Sequence, residues 1–440
     1  MKKVLVISYY WPPAGGPGAQ RVVKFVKYLP MHGWQPIVLT VEKGEFPYTD
    51  ESLGTDLPED LPVFRSRALD PFRFYKAITG KKGDEAIPVG YLTQSHGSFK
   101  EKLAAYIRSN LFVPDARVGW NPYAIRRAER IIREEQIDLV FTSTPPHSTN
   151  LIGRYLNRKL RIPWVADFRD PWTDIRYYKF LKRWKITAAY DARLERICIE
   201  QADAVTTVSR ALMDQLAQKT TPPCPEKFYI IPNGFDEADF ENIATEPGTR
   251  FTILHTGNMQ AHQNPEALWQ ALAELREEQP ELAAQIRVKL VGRTHPEVEN
   301  TLKRLQLESI VEFSGFVPHN QIPPMLRSAE LLLMVIPKVE DNLGIVTGKF
   351  FEYLGSNRPI LVVGPPQSDA GQILKGLSGS AIFDYDAVHR LKKYLQDALQ
   401  SWQRNQWQFD NQHKVARYSR RALAGKLAEV FEGVSLKSEV

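Results

Sequence analysis

Cysteine is nearly absent: the 440 residues contain only Cys198 and Cys224, which excludes a disulfide scaffold and a cysteine-rich zinc site. Long apolar runs are missing too. The longest, Leu331 to Pro337 and Pro359 to Gly364, fall far short of the roughly 20 residues a membrane span needs, and the run Val4 to Ile7 is too short for the core of a signal peptide. Neither sign of charge dominates, with 57 Lys and Arg against 51 Asp and Glu. The resulting net charge of +6 fits a phosphate-rich ligand, a nucleic acid or an anionic membrane surface, and does not choose among them. These absences predict a soluble protein of a reducing compartment, and a cytoplasmic location is expected.

Several chemistries are excluded by incomplete motifs. Asp236-Glu237-Ala238-Asp239 spells a helicase box, yet no G-x-x-x-x-G-K-[ST] loop accompanies it. The nearest stretch, Gly344 to Phe350, is one residue short and lacks the hydroxyl that would follow Lys349. Asp384-Tyr385-Asp386 has the D-x-D spacing of some metal-dependent transferases, but its position predicts an aspartate cap opening a helix, so no metal is expected. The basic-aromatic run Arg176 to Lys185 comes with no recognised RNA module, and no nucleic-acid partner is expected.

What is present is alternation. Short β-branched runs at Lys3 to Ser8, Pro36 to Val41, Asp138 to Thr142, Pro163 to Asp167, Ala204 to Val208 and Lys227 to Ile231 read as strands. Between them, Gln20 to Met31, Asn121 to Glu135, Ser148 to Lys159 and Ala189 to Glu200 read as helices. The pattern restarts near residue 250, with strands at Arg250 to His255, Arg287 to Val291, Ile310 to Phe313, Leu331 to Ile336 and Pro359 to Val363. This is the signature of two doubly wound α/β domains. The expected division is a first domain over 1–232 with an insertion at about 68–118, a linker over 233–249, a second domain over 250–410, and a last helix and tail over 411–440. Val415, Tyr418, Ala422, Leu427 and Val430 are read as one face of that helix.

Chemistry gathers at a few places. Gly15-Gly16-Pro17-Gly18 follows the first strand, where backbone N–H groups and a helix N-terminus can face an anion; a plain strand-to-helix turn would look the same. Arg21 stands where G-x-G-x-x-G would have its third glycine, which argues against a dinucleotide site. His147 follows another strand, placed either to serve a ligand or to cap the next helix. Asp167-Phe168-Arg169-Asp170 ends a strand, where open sheets bind ligands, although an internal Arg–Asp pair would read alike. Thr347, Gly348 and Lys349 open a helix with N–H groups and an ammonium suited to a diphosphate, and one turn later Glu352 offers two acceptor oxygens for the hydroxyls of a ribose. The bland alternative is a Lys–Glu pair on a solvated helix face.

Taken in order, the glycine loop, His147, Ala166 to Trp172, Ala202 to Val205, Ile231 to Asp236, Gly315 to Pro318 and Gly348 to Leu354 resemble the family-four retaining glycosyltransferases, over nearly the whole chain. The resemblance implies the GT-B architecture, two Rossmann-like domains facing a central cleft, with the last helix crossing back to the first domain. It implies transfer of a sugar from a nucleotide-sugar donor to a hydroxyl acceptor with retention, without a cofactor or metal, in cell-surface polysaccharide or lipid-linked glycan assembly. By resemblance His147 and Lys349 are catalytic. Gly15, Gly16, Phe316, Val317, Gly348 and Glu352 match the family's donor-binding positions; Thr347, Gly257 and Arg293 are added to the donor set, and Asp167, Arg169 and Asp170 to the acceptor side, from their places at helix and strand ends.

Two positions depart from the family pattern. Gly344 stands eight residues before Glu352, where the family has its first motif acid, with Glu340 or Asp341 as possible replacements. Gly257 is followed by Asn258 and Gln263 instead of a basic pair, with Arg293 as a substitute base. The departures leave a second reading, a non-catalytic nucleotide-sugar or polysaccharide-binding protein on the same fold. The basic-aromatic stretches Arg176 to Lys185 and Phe99 to Phe112 add an expected weak contact with an anionic membrane and a glycan or lipid-linked acceptor.

Overall fold

The computed structural model describes residues 1–44, 46, 49–55, 57–69, 106, 109–241, 243 and 248–438. The stretch Gly80 to Gly83 and most of the amphipathic segment 99–112 lie outside these. The chain divides into two compact units, Met1–Pro232 with Leu423–Val440, and Asn233–Ala422.

The first unit is built on a parallel sheet of seven strands: β1 (Lys2–Ile7), β2 (Trp34–Val41), β3 (Val63–Ser66), β4 (Leu139–Thr144), β5 (Trp164–Phe168), β6 (Ala204–Thr207) and β7 (Phe228–Ile230). Their order is β3-β2-β1-β4-β5-β6-β7. The helices α1 (Pro17–Tyr28), α2 (Asn121–Glu135), α3 (Ser148–Leu160), α4 (Lys185–Gln201) and α5 (Arg210–Ala217) connect them. Strand β1 is apolar without alternation because both its faces are covered. Leu5 and Ile7 join Trp164 and Phe168 in one core, whereas Val4 and Val6 join Val22, Phe25 and Val26 of α1 in another.

The second unit repeats the plan with β8 (Phe251–Thr256), β9 (Ile286–Val291), β10 (Val311–Gly315), β11 (Leu331–Val335), β12 (Ile360–Val363) and β13 (Ala381–Phe383), ordered β10-β9-β8-β11-β12-β13. Its longer helices are α6 (Glu266–Glu278), α7 (Pro296–Arg304), α8 (Gly348–Gly355) and α9 (Val388–Gln403). In both sheets the order reverses beside the first strand, between β1 and β4 and between β8 and β11. Open α/β sheets bind ligands outside the carboxyl ends of the strands at such a reversal.

Three details differ from the sequence reading. The stretch 233–241 is packed rather than free, since Phe235 and Phe240 are buried in the core of the second unit. The last helix, α10 (Arg420–Ser438), starts after a break, so Val415 and Tyr418 belong to the second unit's core while Leu423, Leu427 and Phe431 pack against the core of the first. Asp384 and Asp386 form a turn and do not cap a helix: Asp384 Oδ1 accepts from the Tyr385 N–H, and α9 begins at Val388 after Ala387.

Candidate functional site

In the first unit the reversal point is occupied by the loop after β1 and the loop after β4. Gly16 caps α1 with φ +87, a conformation that glycine adopts without strain, and Pro17 takes the first helical position. Gly15 lies so close to Asp50 that a Cβ would meet the Asp50 Cβ at 3.0 Å. A Cβ on Gly18 would meet Arg169 Nη1 at 2.5 Å. That guanidinium is held in place, with Nε donating to the Thr144 carbonyl at 2.8 Å and Nη2 to the Pro145 carbonyl at 2.9 Å. The glycine loop and Arg169 are thus neighbours.

Asp167 does not face an acceptor. Its side chain has no exposure, and its oxygens accept from Arg21 Nε (3.1 Å), Arg21 Nη2 (2.9 Å), Ser143 Oγ (2.7 Å) and Thr206 Oγ1 (2.8 Å). Burial alone would raise its carboxyl, but the Arg21 charge and hydrogen bonds outweigh that and hold it below the usual range. Arg21 also donates to the carbonyls of Ile231 and Pro232, both at 2.8 Å. Of the two readings of the Asp167 cluster, the internal ion pair is the one found for this aspartate, with Arg21 as its partner rather than Arg169. Asp170 behaves differently: burial raises its carboxyl, against the opposing charge of Arg169.

His147 sits at the start of α3, with no side-chain capping bond. That helix is capped instead by Asp115, which accepts from the Ser148 N–H at 2.8 Å and its hydroxyl at 2.9 Å. The imidazole is 5% exposed, with the Pro171 backbone beside it and no side-chain hydrogen-bond partner among the described residues. Burial, helped by the Arg169 charge, pushes its pKa down to about 3, so the ring is neutral at physiological pH. Beside these loops, a cavity of about 230 Å³ opens at the carboxyl ends of β1 to β3, lined in part by Trp11, Thr40, Lys43, Phe46 and Arg65.

In the second unit Lys349, on the first turn of α8, reaches the carboxyl end of β8. Its ammonium donates to the Thr256 carbonyl at 3.1 Å and lies 3.4 Å from His255 Nε2. His255 is 1% exposed and its Nδ1 lies 2.9 Å from the Leu333 carbonyl. That contact requires the proton on Nδ1, which leaves Nε2 as an acceptor for the lysine. Burial, then the Lys349 charge, push the His255 pKa down to about 3. Burial also lowers the Lys349 pKa to about 8. Gly257 has φ +92, and a Cβ there would stand 3.4 Å from Lys349 Nζ.

Thr347 precedes α8 with its hydroxyl buried and without a hydrogen-bond partner, and a Cβ on Gly348 would meet open space. The N–H groups of Gly348 and Lys349 have no intrahelical acceptors, whereas that of Phe350 donates to the Thr347 carbonyl at 3.1 Å. Glu352 lies one turn on, its carboxyl raised by burial against the pull of His319 and Arg420. Phe316 is 87% exposed just after β10, while Val317 packs into the core below. The Arg293 side chain is exposed, and its backbone is tied to Asn258 and Met259. Sequence reasoning missed His255 and Tyr353, whose hydroxyl accepts from the Thr256 N–H at 2.8 Å. Their partners lie 78 to 97 residues away, and no local spacing signals them.

Comparison with known proteins follows the same lines. The sequence family described as Glycosyltransferase Family 4 matches residues 83–239, and the one described as Glycosyl transferases group 1 matches residues 236–420. An alpha-D-kanosaminyltransferase from Streptomyces kanamyceticus is 26% identical over 176 residues, covering 38% of this chain and 44% of that protein. The chain thus spans less than half the length of this relative. Among solved structures, a sucrose-phosphate synthase from Thermosynechococcus elongatus aligns with a TM-score of 0.62 at 14% identity, over 99% of this chain and 100% of that one. Anabaena HepE, solved in complex with UDP-glucose, gives 0.54 at 15% identity over 100% and 98%. WaaG, a glycosyltransferase involved in lipopolysaccharide biosynthesis, gives 0.53 at 15% identity over 98% and 100%. At these identities the structures speak for the fold.

Proposed function

The chain belongs to the family 4 glycosyltransferases, and on that premise we propose that it transfers a sugar from a nucleotide-sugar donor to a hydroxyl acceptor with retention of configuration. The observation that carries this reading is the arrangement around α8. An ammonium fixed against the Thr256 carbonyl, an unpaired Thr347 hydroxyl and free helix N–H groups form an anion cradle, with the Glu352 carboxylate one turn away for the ribose hydroxyls. Phe316 offers an aromatic face for the base, and Gly257 leaves the backbone open beside Lys349.

In the reaction the bond from the sugar to the leaving diphosphate breaks, and a bond to the acceptor oxygen forms on the same face. Negative charge grows on the leaving phosphate, where Lys349 and the N–H groups stabilise it electrostatically, and that phosphate takes the acceptor proton. Protein groups supply the neutralising charge, so the reading requires no metal. A double displacement would need a carboxylate nucleophile, and Asp167 is engaged inside the fold. His147, neutral and without a side-chain hydrogen-bond partner among the described residues, is assigned to the reacting sugar, with Arg169 and Asp170 on the acceptor side.

The acceptor is read as a glycan or lipid-linked glycan. In support, the described part of residues 106–111 meets residues 180–190. Trp184 Nε1 donates to the Tyr106 hydroxyl at 2.5 Å, and Asn110 bonds the Lys182 carbonyl at 3.0 Å and the Trp184 N–H at 2.7 Å. Leu111, Phe180, Trp184, Ile186 and Tyr190 are exposed there beside Lys182 and Lys185. Such a surface suits the headgroup layer of an anionic membrane. No helix among the described residues is long and apolar enough to cross one.

A thermal-shift screen against a panel of nucleotide-sugars tests the donor, since a ligand at 100 times its Kd adds roughly 2.7 kcal/mol. Donor hydrolysis by the purified protein then separates a transferase from the non-catalytic binder that Gly344 leaves open. Stabilisation without any turnover would favour the binder, and neither stabilisation nor turnover with any donor would refute both readings. Flotation with anionic and neutral vesicles, at low and high salt, tests the membrane surface.

A further inference from the structure

Stacking on two aromatic rings sets the plane of the His147 ring. The Trp172 indole lies 5.0 Å from it, centroid to centroid, with the planes within 9°, and Phe168 adds a second ring at 6.4 Å and 29°. The indole is itself fixed, because its Nε1 donates to Asp191 Oδ1 at 2.9 Å. Asp191, on α4, has no exposure and is anchored in turn. Its other oxygen accepts from the Tyr178 hydroxyl at 2.8 Å and pairs with Arg183, whose Nη2 donates to the Pro114 carbonyl at 2.6 Å. Four residues on, Glu195 accepts from the N–H (3.3 Å) and hydroxyl (2.5 Å) of Thr173 and pairs with Lys219 at 2.7 Å. Two buried carboxylates on one face of α4 therefore grip consecutive residues of the loop that follows β5.

Apolar side chains would pack such a loop without the desolvation cost of two carboxylates. What a carboxylate adds is direction: a single hydrogen bond to Nε1 fixes the rotation of the indole, and the indole plane then fixes the imidazole plane. We propose that Asp191 is a positioning residue for sugar transfer, acting through the Trp172 indole to hold the His147 ring in one orientation. The proposal rests on the assignment of His147 to the reacting sugar. It assigns a purpose to the buried Asp191 cluster, which plays no other part in the proposed transfer.

The test combines kinetics and NMR on Asp191→Asn, Trp172→Phe and the double variant of the full-length protein. Each single change is expected to lower kcat at least tenfold, because misplacing a reacting group by about 1 Å costs on the order of 100-fold. The donor KM should stay within twofold, since no group assigned to the donor is among the hydrogen-bond partners of Asp191 or Trp172. Because both residues act in one chain of contacts, the double variant should be no worse than the weaker single variant. Multiplying losses, or kcat and KM changing together, would overturn the proposal.

Independently of turnover, the His147 ring protons, assigned through His147→Gln, should carry an upfield ring-current shift that moves in Asp191→Asn. An unmoved shift would overturn the proposal even in an active enzyme. If the wild type transfers no sugar, the reading of function fails, yet the NMR result still decides whether Asp191 orients the ring. If Asp191→Asn does not fold, Tyr178→Phe removes one anchor of Asp191 with a smaller disturbance and should shift the same signals in the same direction.

Discussion

Replacing Arg21 by methionine should destabilise the first unit by about 3–5 kcal/mol, the cost of leaving one member of a buried ion pair alone. The structure explains why the figure is large. Asp167 would keep the Ser143 and Thr206 hydroxyls but lose two guanidinium bonds, and the Ile231 and Pro232 carbonyls would lose their donors. For a unit of this size 1 kcal/mol moves Tm by about 2–4 °C, so calorimetry should show that transition falling by about 10 °C at pH 7. The pH dependence is the sharper check. In the native chain the Asp167 carboxyl lies below its unfolded value, so its contribution is complete above about pH 4 and is lost only as pH falls through the folded pKa. Without Arg21, burial raises the folded pKa above the unfolded one. The penalty of the buried charge is then full above that folded pKa and fades as pH falls towards the unfolded value. The gap between variant and wild type should therefore narrow between pH 7 and pH 5. A gap under 1 kcal/mol at pH 7, or one that widens on acidification, would refute the reasoning. Adding Asp167→Asn to the variant should recover part of the loss.

Donor affinity should fall about tenfold between pH 7 and pH 9, because only protonated Lys349, with its pKa near 8, attracts the diphosphate. Calorimetric titration should show this slope in the wild type and its absence in Lys349→Met. Glu352→Gln replaces a charged double acceptor by an amide with one acceptor and should cost about 1.5–3 kcal/mol of donor binding; an unchanged Kd in a folded variant removes Glu352 from the site. Gly18→Ala drives a Cβ to 2.5 Å from an anchored Arg169, so it should lose about 1–3 kcal/mol of stability through overpacking, measured by Tm; an unshifted Tm would mean that Arg169 is free to move aside.

Central strands were legible because burial on both faces leaves a plain apolar run, as in Val4 to Ile7 and Leu331 to Val335. Strands β3 and β13 were not: they are edge strands of four and three residues with little fully buried surface, and carry almost no pattern. The bounds of α2 were legible from its Asn-Pro start, whereas α4 begins at Lys185 without a capping side chain and was read too short. Site residues divide in the same way. Lys349 and Glu352 sit three apart on one short helix, so local spacing found them together. The role of Asp167 was open because it is set by Arg21, 146 residues away, and a charged cluster at a strand end looks the same whether it meets a ligand or an internal partner.

The same helix turn also decides the blandest reading of the second unit. Lys349 and Glu352 stand at the i, i+3 spacing that normally allows an ion pair on a helix surface, and they form none. The lysine turns to a carbonyl and a neutral imidazole, neither of which supplies negative charge, and its pKa falls. The glutamate is left in surroundings that raise its carboxyl. Keeping two opposite charges half-buried and apart is unfavourable in the free protein, since each bears a desolvation cost that pairing would partly offset. The arrangement becomes favourable when each meets a different group of one ligand, an anion at the ammonium and hydroxyls at the carboxylate. A diphosphate joined to a ribose has those two groups side by side, which is why the unpaired state of this turn argues for a nucleotide more strongly than either residue does alone.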